Sequence, residues 1–126
     1  MCVNGIAIGP IGLELAQAMA RFGSKVTVFV RGTQLLPKED RDAAEIVHKA
    51  MMEDNVIFHF NTTYVNVTSS ADDAGNKYFA PFNVVEVNVT VDGVPLCVPC
   101  DALLIATGRT PNVENMGKML TIVAMI

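Results

Sequence analysis

The sequence predicts an α/β domain in which a parallel sheet with crossover helices carries an inserted antiparallel three-stranded meander. Three observations lead there. Apolar, β-branched runs alternate with helix-spaced apolar residues from Val3 to Phe60. A period-two pattern punctuated by turn residues follows, from Tyr64 to Val98. A buried-type run, Ala102–Ala106 (ALLIA), then returns to the first kind. Period decides element type, because apolar residues recur every 3.6 positions on a helix and every second position on a half-buried strand.

Val3–Ile8 (VNGIAI) reads as a short buried strand. Ile11, Leu15, Met19 and Phe22 then fall on one helical face. Ala16 and Ala20 are small enough for close packing on a sheet, and Gly23 suits the helix C-terminus. Val26–Val30 (VTVFV) is a continuous apolar run, as in a central parallel strand covered on both faces. A linker with Gly32 and Pro37 leads to Asp40, which caps a second helix with Asp42 in its first turn. Ala43, Ile46, Val47, Ala50 and Met51 form the predicted apolar stripe of that helix. Val56–Phe60 (VIFHF) is a third strand. A β-α-β-α-β order requires right-handed crossovers and a parallel sheet. Tyr64–Thr68, Phe82–Val91 and Pro95–Val98 are the predicted meander strands. Ser69–Lys77 (SSADDAGNK) and Asp92-Gly93 are turns.

The 126 residues suffice for one domain with its own core. Hydrophobic residues make up 51% and charged residues 17%, a globular balance. The net charge of −4 argues against non-specific nucleic-acid binding, which needs a basic surface to displace counterions. An anionic small ligand needs only a few placed cations and a helix N-terminus. The N-terminus shows no secretory pattern, and no apolar run approaches the roughly 20 residues that span a bilayer. The cytoplasm or an organellar matrix is therefore the expected compartment. The Asn-x-Thr triplets at Asn61, Asn66 and Asn88 read as chance in Thr-rich strands. Both ends read as cut, so a piece of a longer chain is expected.

The first strand–helix junction carries the chemistry. Ala7-Ile8-Gly9-Pro10-Ile11-Gly12 follows the G-x-G-x-x-G register of a dinucleotide-binding loop, with alanine at its first glycine. Such a loop at a helix start binds anions through backbone N–H groups and the helix dipole. Gly9 would let the backbone approach a pyrophosphate, and Gly12 would let the helix pack on the strand. Alanine at the tight turn is strained if φ is positive there. Pro10 has no N–H to donate but suits the first helical turn. At the end of the next strand an acid would take the ribose 2′-hydroxyl of NAD, and an arginine the 2′-phosphate of NADP. The sequence has Arg31 there and Lys38 further along the linker, which favours NADP(H) over NAD(H). A solvated arginine at a strand end is the plain structural alternative.

The stretches GPIGLELAQAMARFGSKVTVFVRG, LLPKED and DALLIATGRTPN occur in the order of a known family. Together they resemble the NAD(P)-binding, Rossmann-type domain of FAD-dependent pyridine nucleotide-disulfide oxidoreductases. The dihydrolipoamide dehydrogenases, glutathione reductases and mercuric reductases belong to that family. The resemblance runs from about Gly5 to Asn115. It implies a cofactor-binding set of Gly9, Pro10, Ile11, Gly12, Glu14, Arg31, Lys38, Gly108 and Arg109. Gly9 and Gly12 would line the pyrophosphate, and Glu14 would contact the nicotinamide amide. Arg31 and Lys38 match the basic pair of NADPH-preferring members, and Gly108 and Arg109 lie beside the nicotinamide half. Glu14 also has a structural reading, as a first-turn acid stabilised by the helix dipole. Ala7 departs from the family's first glycine, and Pro10 stands where several members have a tyrosine.

The family also has an N-terminal FAD domain with a redox-active cysteine pair and a C-terminal dimerisation domain with a catalytic histidine. Neither is in this sequence. Residues 1–126 are therefore expected to be a single NAD(P)-binding domain of a larger FAD-containing, homodimeric enzyme that passes hydride from the nucleotide to FAD. Alone the chain is expected to be inactive. Rival readings are a regulatory nucleotide sensor and a non-binding remnant. Cys97-Val98-Pro99-Cys100 is a C-x-x-C pair, but it lies between strands rather than at the helix start that lowers a redox thiol's pKa. Alternation puts Leu96 and Val98 on one face and Cys97 on the other. With Cys2 the thiols number three, too few for a disulfide framework. No catalytic residue and no metal ligand are expected, and His48, on the polar side of its helix, and His59, in a strand, read as structural.

Overall fold

The computed structural model describes residues 2–7, 9–69 and 85–108. The predicted Ser69–Lys77 turn lies outside the described residues apart from Ser69, which ends a strand, and so do the start of the strand at Phe82 and the motif from Arg109 onward. Four strands form a parallel sheet in the order β3-β2-β1-β7. They are β1 (Cys2–Ala7), β2 (Lys25–Phe29), β3 (Val56–His59) and β7 (Ala102–Ala106). β4 (Thr62–Ser69), β5 (Val85–Val91) and β6 (Val94–Cys100) form an antiparallel sheet in that order. Helices α1 (Pro10–Arg21) and α2 (Arg41–Glu53) are the crossovers between the first three strands.

The parallel sheet is covered on both faces by different layers. Leu13, Ala16 and Met51 of the helices pack with Val26, Val28, Val30 and Val56. On the other side Phe29 packs with Val87, Val89 and Cys100 of the meander. Alternation along β2 explains the partition, since neighbouring side chains on a strand point to opposite faces. All five residues from Val26 to Val30 are buried, which is why the run reads as continuously apolar.

Both helices are stopped by specific backbone geometry. Gly23 has φ +86, its N–H donates to the Ala20 carbonyl at 2.9 Å, and the Ser24 N–H donates to the Met19 carbonyl at 3.1 Å. This pair of bonds is a Schellman motif. Asp40 caps α2 by accepting from the Asp42 N–H at 2.9 Å. Asp54, at the C-terminal end of α2, accepts from Gln17 Nε2 at 2.7 Å and from Arg21 Nε at 3.0 Å, which ties α1 to α2. A carboxylate at a helix C-terminus opposes the dipole, and the Arg21 guanidinium offsets that.

The faces of the two helices differ from the expected ones. In α1 the buried side is Gly12, Leu13 and Ala16, with Met19 and Ala20 packed beside them. Ile11, Leu15 and Phe22 are exposed. Both sets have helical spacing, and the set containing the small residues wins because it lets the helix sit close to the sheet. In α2 Ala44 and Met51 are buried and Val47 partly so, while Ala43, Ile46 and Ala50 are exposed. His48 is half-buried rather than on a polar side, with its ring edge-on to Phe58 and Phe60 at 4.9 and 5.2 Å. His59 stacks on Phe29 at 5.6 Å.

The meander is attached through polar contacts. The Tyr64 hydroxyl donates to the Phe29 carbonyl at 3.0 Å. The Asp101 N–H donates to the Cys2 carbonyl at 2.9 Å, and the Cys2 N–H returns a bond to Asp101 Oδ2 at 2.6 Å. Asp92 and Gly93 have φ +49 and +81, the signs of a type I′ turn between β5 and β6. Pro95 and Pro99 lie on β6, the edge strand of this sheet among the described residues, where a missing N–H is tolerated.

Two stability experiments follow. Gly23→Ala meets no atom within 4 Å, so its cost is conformational, about 1 kcal/mol for an L-residue in the left-handed region, read by urea unfolding. Burial pushes the Tyr64 hydroxyl up to about 12, and the Arg31 charge partly opposes this. Below pH about 10 the phenol is neutral in folded and unfolded chains alike, so it adds no pH dependence. Above that the unfolded chain ionises first, so stability falls between pH 10 and about 12. Tyr64→Phe should remove this part of the alkaline loss in denaturation curves at pH 9 and pH 11.

Candidate functional site

The chain runs from β1 to β2 and β3 on one side and returns as β7 on the other, so β1 and β7 flank a topological switch point. Ligands of open α/β sheets bind outside the carboxyl ends of strands at such a point. A cleft of about 770 Å³ opens there. The start of α1 supplies Gly9, Pro10, Ile11, Gly12 and Leu15 to its lining. The end of β7 and the residues after it supply Leu104, Ile105, Ala106, Thr107 and Gly108. The loop after β2 supplies Leu36, Pro37, Lys38 and Glu39.

The start of α1 is shaped for close approach. Gly9 is the N-cap with extended backbone, φ −130 and ψ 176, and no side chain caps the helix. Pro10 occupies the first helical position. The Leu13 N–H bonds the Gly9 carbonyl at 3.4 Å, so the N–H groups of Ile11 and Gly12 precede the first intrahelical bond. Ala7 ends β1 in parallel register with Ala106. Extended backbone there suits alanine as well as glycine, so replacement of the first loop glycine carries no left-handed strain. A Cβ added at Gly9 would meet no atom within 4 Å and would project into open space, and Gly108 is equally open.

The cleft brings together Gly9, Pro10, Ile11, Gly12, Lys38 and Gly108 of the expected set. Glu14 and Arg31 are exposed and outside its lining, and Arg109 lies outside the described residues. Glu14 is in the second turn of α1, and the first turn holds no acid. The dipole field decays within the first turn. The first-turn explanation of Glu14 is thus corrected. Arg31 follows buried Val30 and stands close enough to Tyr64 to oppose the rise of its pKa.

The lining also contains residues that sequence reasoning missed. Leu15 (41% exposed) and Ile105 (65%) join the expected Ile11 (43%) in an apolar wall. Leu15 was expected in the core because the two stripes of α1 are both apolar. Leu36 and Glu39 enter through a turn whose left-handed leucine, φ +50, no sequence rule signals.

The C-x-x-C pair is divided by the strand itself. Cys97 is exposed and Cys100 is buried, as residues three apart on a strand must face opposite sides. Their Cα atoms are about 10 Å apart at strand rise, beyond disulfide reach. Among the described residues no group of three or more His, Cys, Asp or Glu gathers to hold a metal ion, and no helix is long and apolar enough to cross a membrane. An aromatic disulfide reagent should label Cys97 in the folded chain and Cys100 only after unfolding. Mild oxidation should produce no Cys97–Cys100 bridge in a peptide map.

A strand–glycine–helix cleft at a switch point is the geometry of a Rossmann-type α/β fold. The comparisons narrow it. The chain belongs to the pyridine nucleotide-disulphide oxidoreductase family, whose profile matches residues 8–77. Members of this family generally use FAD and NAD(P)H. A mercuric reductase of Lysinibacillus sphaericus is 32% identical over 111 residues, which span 88% of this chain and 18% of the relative. Dihydrolipoyl dehydrogenase 3 of Pseudomonas putida is 28% identical over 117 residues, 89% of this chain and 23% of the relative. Among solved structures, the HOCl-induced flavoprotein disulfide reductase RclA of Escherichia coli superposes with a TM-score of 0.67 at 28% identity. That match covers 98% of this chain and 25% of the other. The chain thus spans about a quarter or less of the length of each relative.

Proposed function

We propose that the chain binds NAD(P)H, with NADPH favoured, as the nucleotide domain of a flavin-dependent disulfide oxidoreductase, and there delivers hydride to FAD. The cleft at the switch point, with the uncapped start of α1 in its lining, carries this reading. The N–H groups of Ile11 and Gly12 would hold the pyrophosphate at the positive end of the helix dipole. Gly9 leaves room for the phosphate to approach the backbone. Pro10 contributes a preset φ rather than a donor. The apolar wall of Ile11, Leu15 and Ile105 suits the ring faces of a dinucleotide. Glu14, Gly108 and Arg109 would attend the nicotinamide half, as the family resemblance implies. Arg31 and Lys38 would take the 2′-phosphate, and Lys38 lines the cleft itself.

The nicotinamide supplies the hydride when it is bound, and the chain's own residues bind and orient it. Residues 1–126 would serve as one domain of a larger homodimeric chain that contributes the FAD domain. The cytoplasm or an organellar matrix suits a chain with too few cysteines for a disulfide framework.

Calorimetric titration of the chain with NADPH, NADH and 2′-AMP tests the reading. Binding of NADPH and 2′-AMP is expected, and silence from all three ligands would end the proposal. Gly9→Ala should leave the thermal midpoint unchanged, because the added methyl meets no protein atom. It should weaken NADPH about tenfold, ~1.4 kcal/mol, by occupying the pyrophosphate's approach. Arg31→Ala should lower NADPH affinity relative to NADH. An unchanged ratio would remove Arg31 from cofactor selection.

A further inference from the structure

The loop after β2 is pinned more firmly than a linker requires. Leu36 has φ +50, a conformation that branched L-residues rarely adopt. Pro37 follows at the second position of a β-turn, where its ring presets φ. The Glu39 N–H closes the turn onto the Leu36 carbonyl at 2.9 Å. Gln34 Nε2 donates to the Glu39 carbonyl at 3.3 Å. Leu36 packs against the helix-side core beside buried Leu35, which anchors the turn from below. Backbone strain persists only where surrounding contacts over-determine it, and it gathers at sites where position matters.

Two residues gain their position from this turn, Lys38 and Glu39. Both are exposed and both line the cleft. Among the described residues neither takes part in an ion pair. The turn therefore presents a cation and an anion side by side to the same space. The loop at the end of the second strand is where the adenosine ribose of a bound dinucleotide lies. A lone lysine there would favour a 2′-phosphate. A neighbouring carboxylate repels that phosphate and accepts hydrogen bonds from free ribose hydroxyls.

The geometry points to Glu39 as a specificity-determining residue that works against Lys38, holding the ribose hydroxyls of NADH and limiting the preference for NADPH. This rests on the NAD(P)H-binding reading above. The carboxylate is the acid that the end of β2 lacks, supplied from a rigid turn instead of from the strand. Glu39 then works against the cations that would take the 2′-phosphate, Lys38 on the same turn in the cleft lining and Arg31 just after β2.

Calorimetry on the whole chain with NADPH and NADH, for the natural sequence, Glu39→Gln and Glu39→Ala, tests this. Both variants should raise NADPH affinity by about fivefold, and Glu39→Ala should weaken NADH by a similar factor. Unchanged thermal midpoints would exclude a folding effect, since Glu39 is exposed. If the natural chain binds both nucleotides and the NADPH-to-NADH ratio stays the same or falls in Glu39→Gln, the role of Glu39 is overturned. If the natural chain binds neither, the NAD(P)H-binding reading itself fails, and the two failures are separate results.

Discussion

Burial of β2 on both faces is the constraint on which the rest of the structure depends. Val26, Val28 and Val30 meet the helices, and Phe29 meets the meander. Neither layer can shift along the sheet without uncovering one set of these side chains. β2 is paired in register with β1 and β3, so the ends of these strands inherit that placement. The loop after β2 and the start of α1 are then brought to one cleft without any contact made for the purpose. The Tyr64 hydroxyl bond to the Phe29 carbonyl holds the second layer to the same strand.

Much of this was legible in the residues. The strand at Val26–Val30, the cap at Asp40, the C-terminal glycine at Gly23 and the Asp92-Gly93 turn each combine a local chemical reason with a place in the fold. The last strand, Ala102–Ala106, was read to the residue because apolar run and flanking Asp101 agree. What escaped reading was orientation. Gly12, Leu13, Ala16 and Ile11, Leu15, Phe22 are both plausible stripes on α1, and only the sheet chooses between them. Glycine and alanine carry little hydropathy, so a stripe built from them reads weakly although it packs best. His48 was missed for a similar reason, since an imidazole edge can fill an aromatic pocket formed by Phe58 and Phe60.

The site was legible where backbone chemistry defines it. Gly9, Pro10, Ile11 and Gly12 follow from the spacing of a loop that meets a helix. Ala7 departs from the glycine pattern without left-handed strain because the strand still runs through that residue. Lys38 was found by its charge. Leu36 and Glu39 were not, because a leucine at φ +50 has no sequence signature and its turn is closed by the Glu39 N–H bond to the Leu36 carbonyl.

The prolines of β6 carry a further consequence. Alternate residues of a strand send their backbone donors to the same side, and among the described residues β6 pairs with β5 alone. Pro95 and Pro99 share that phase with Cys97, so two of these three positions have no N–H to offer outward. A foreign strand arriving at this border would find its acceptors mostly unanswered. Among the described residues, that flank of the meander is therefore a poor template for a further strand.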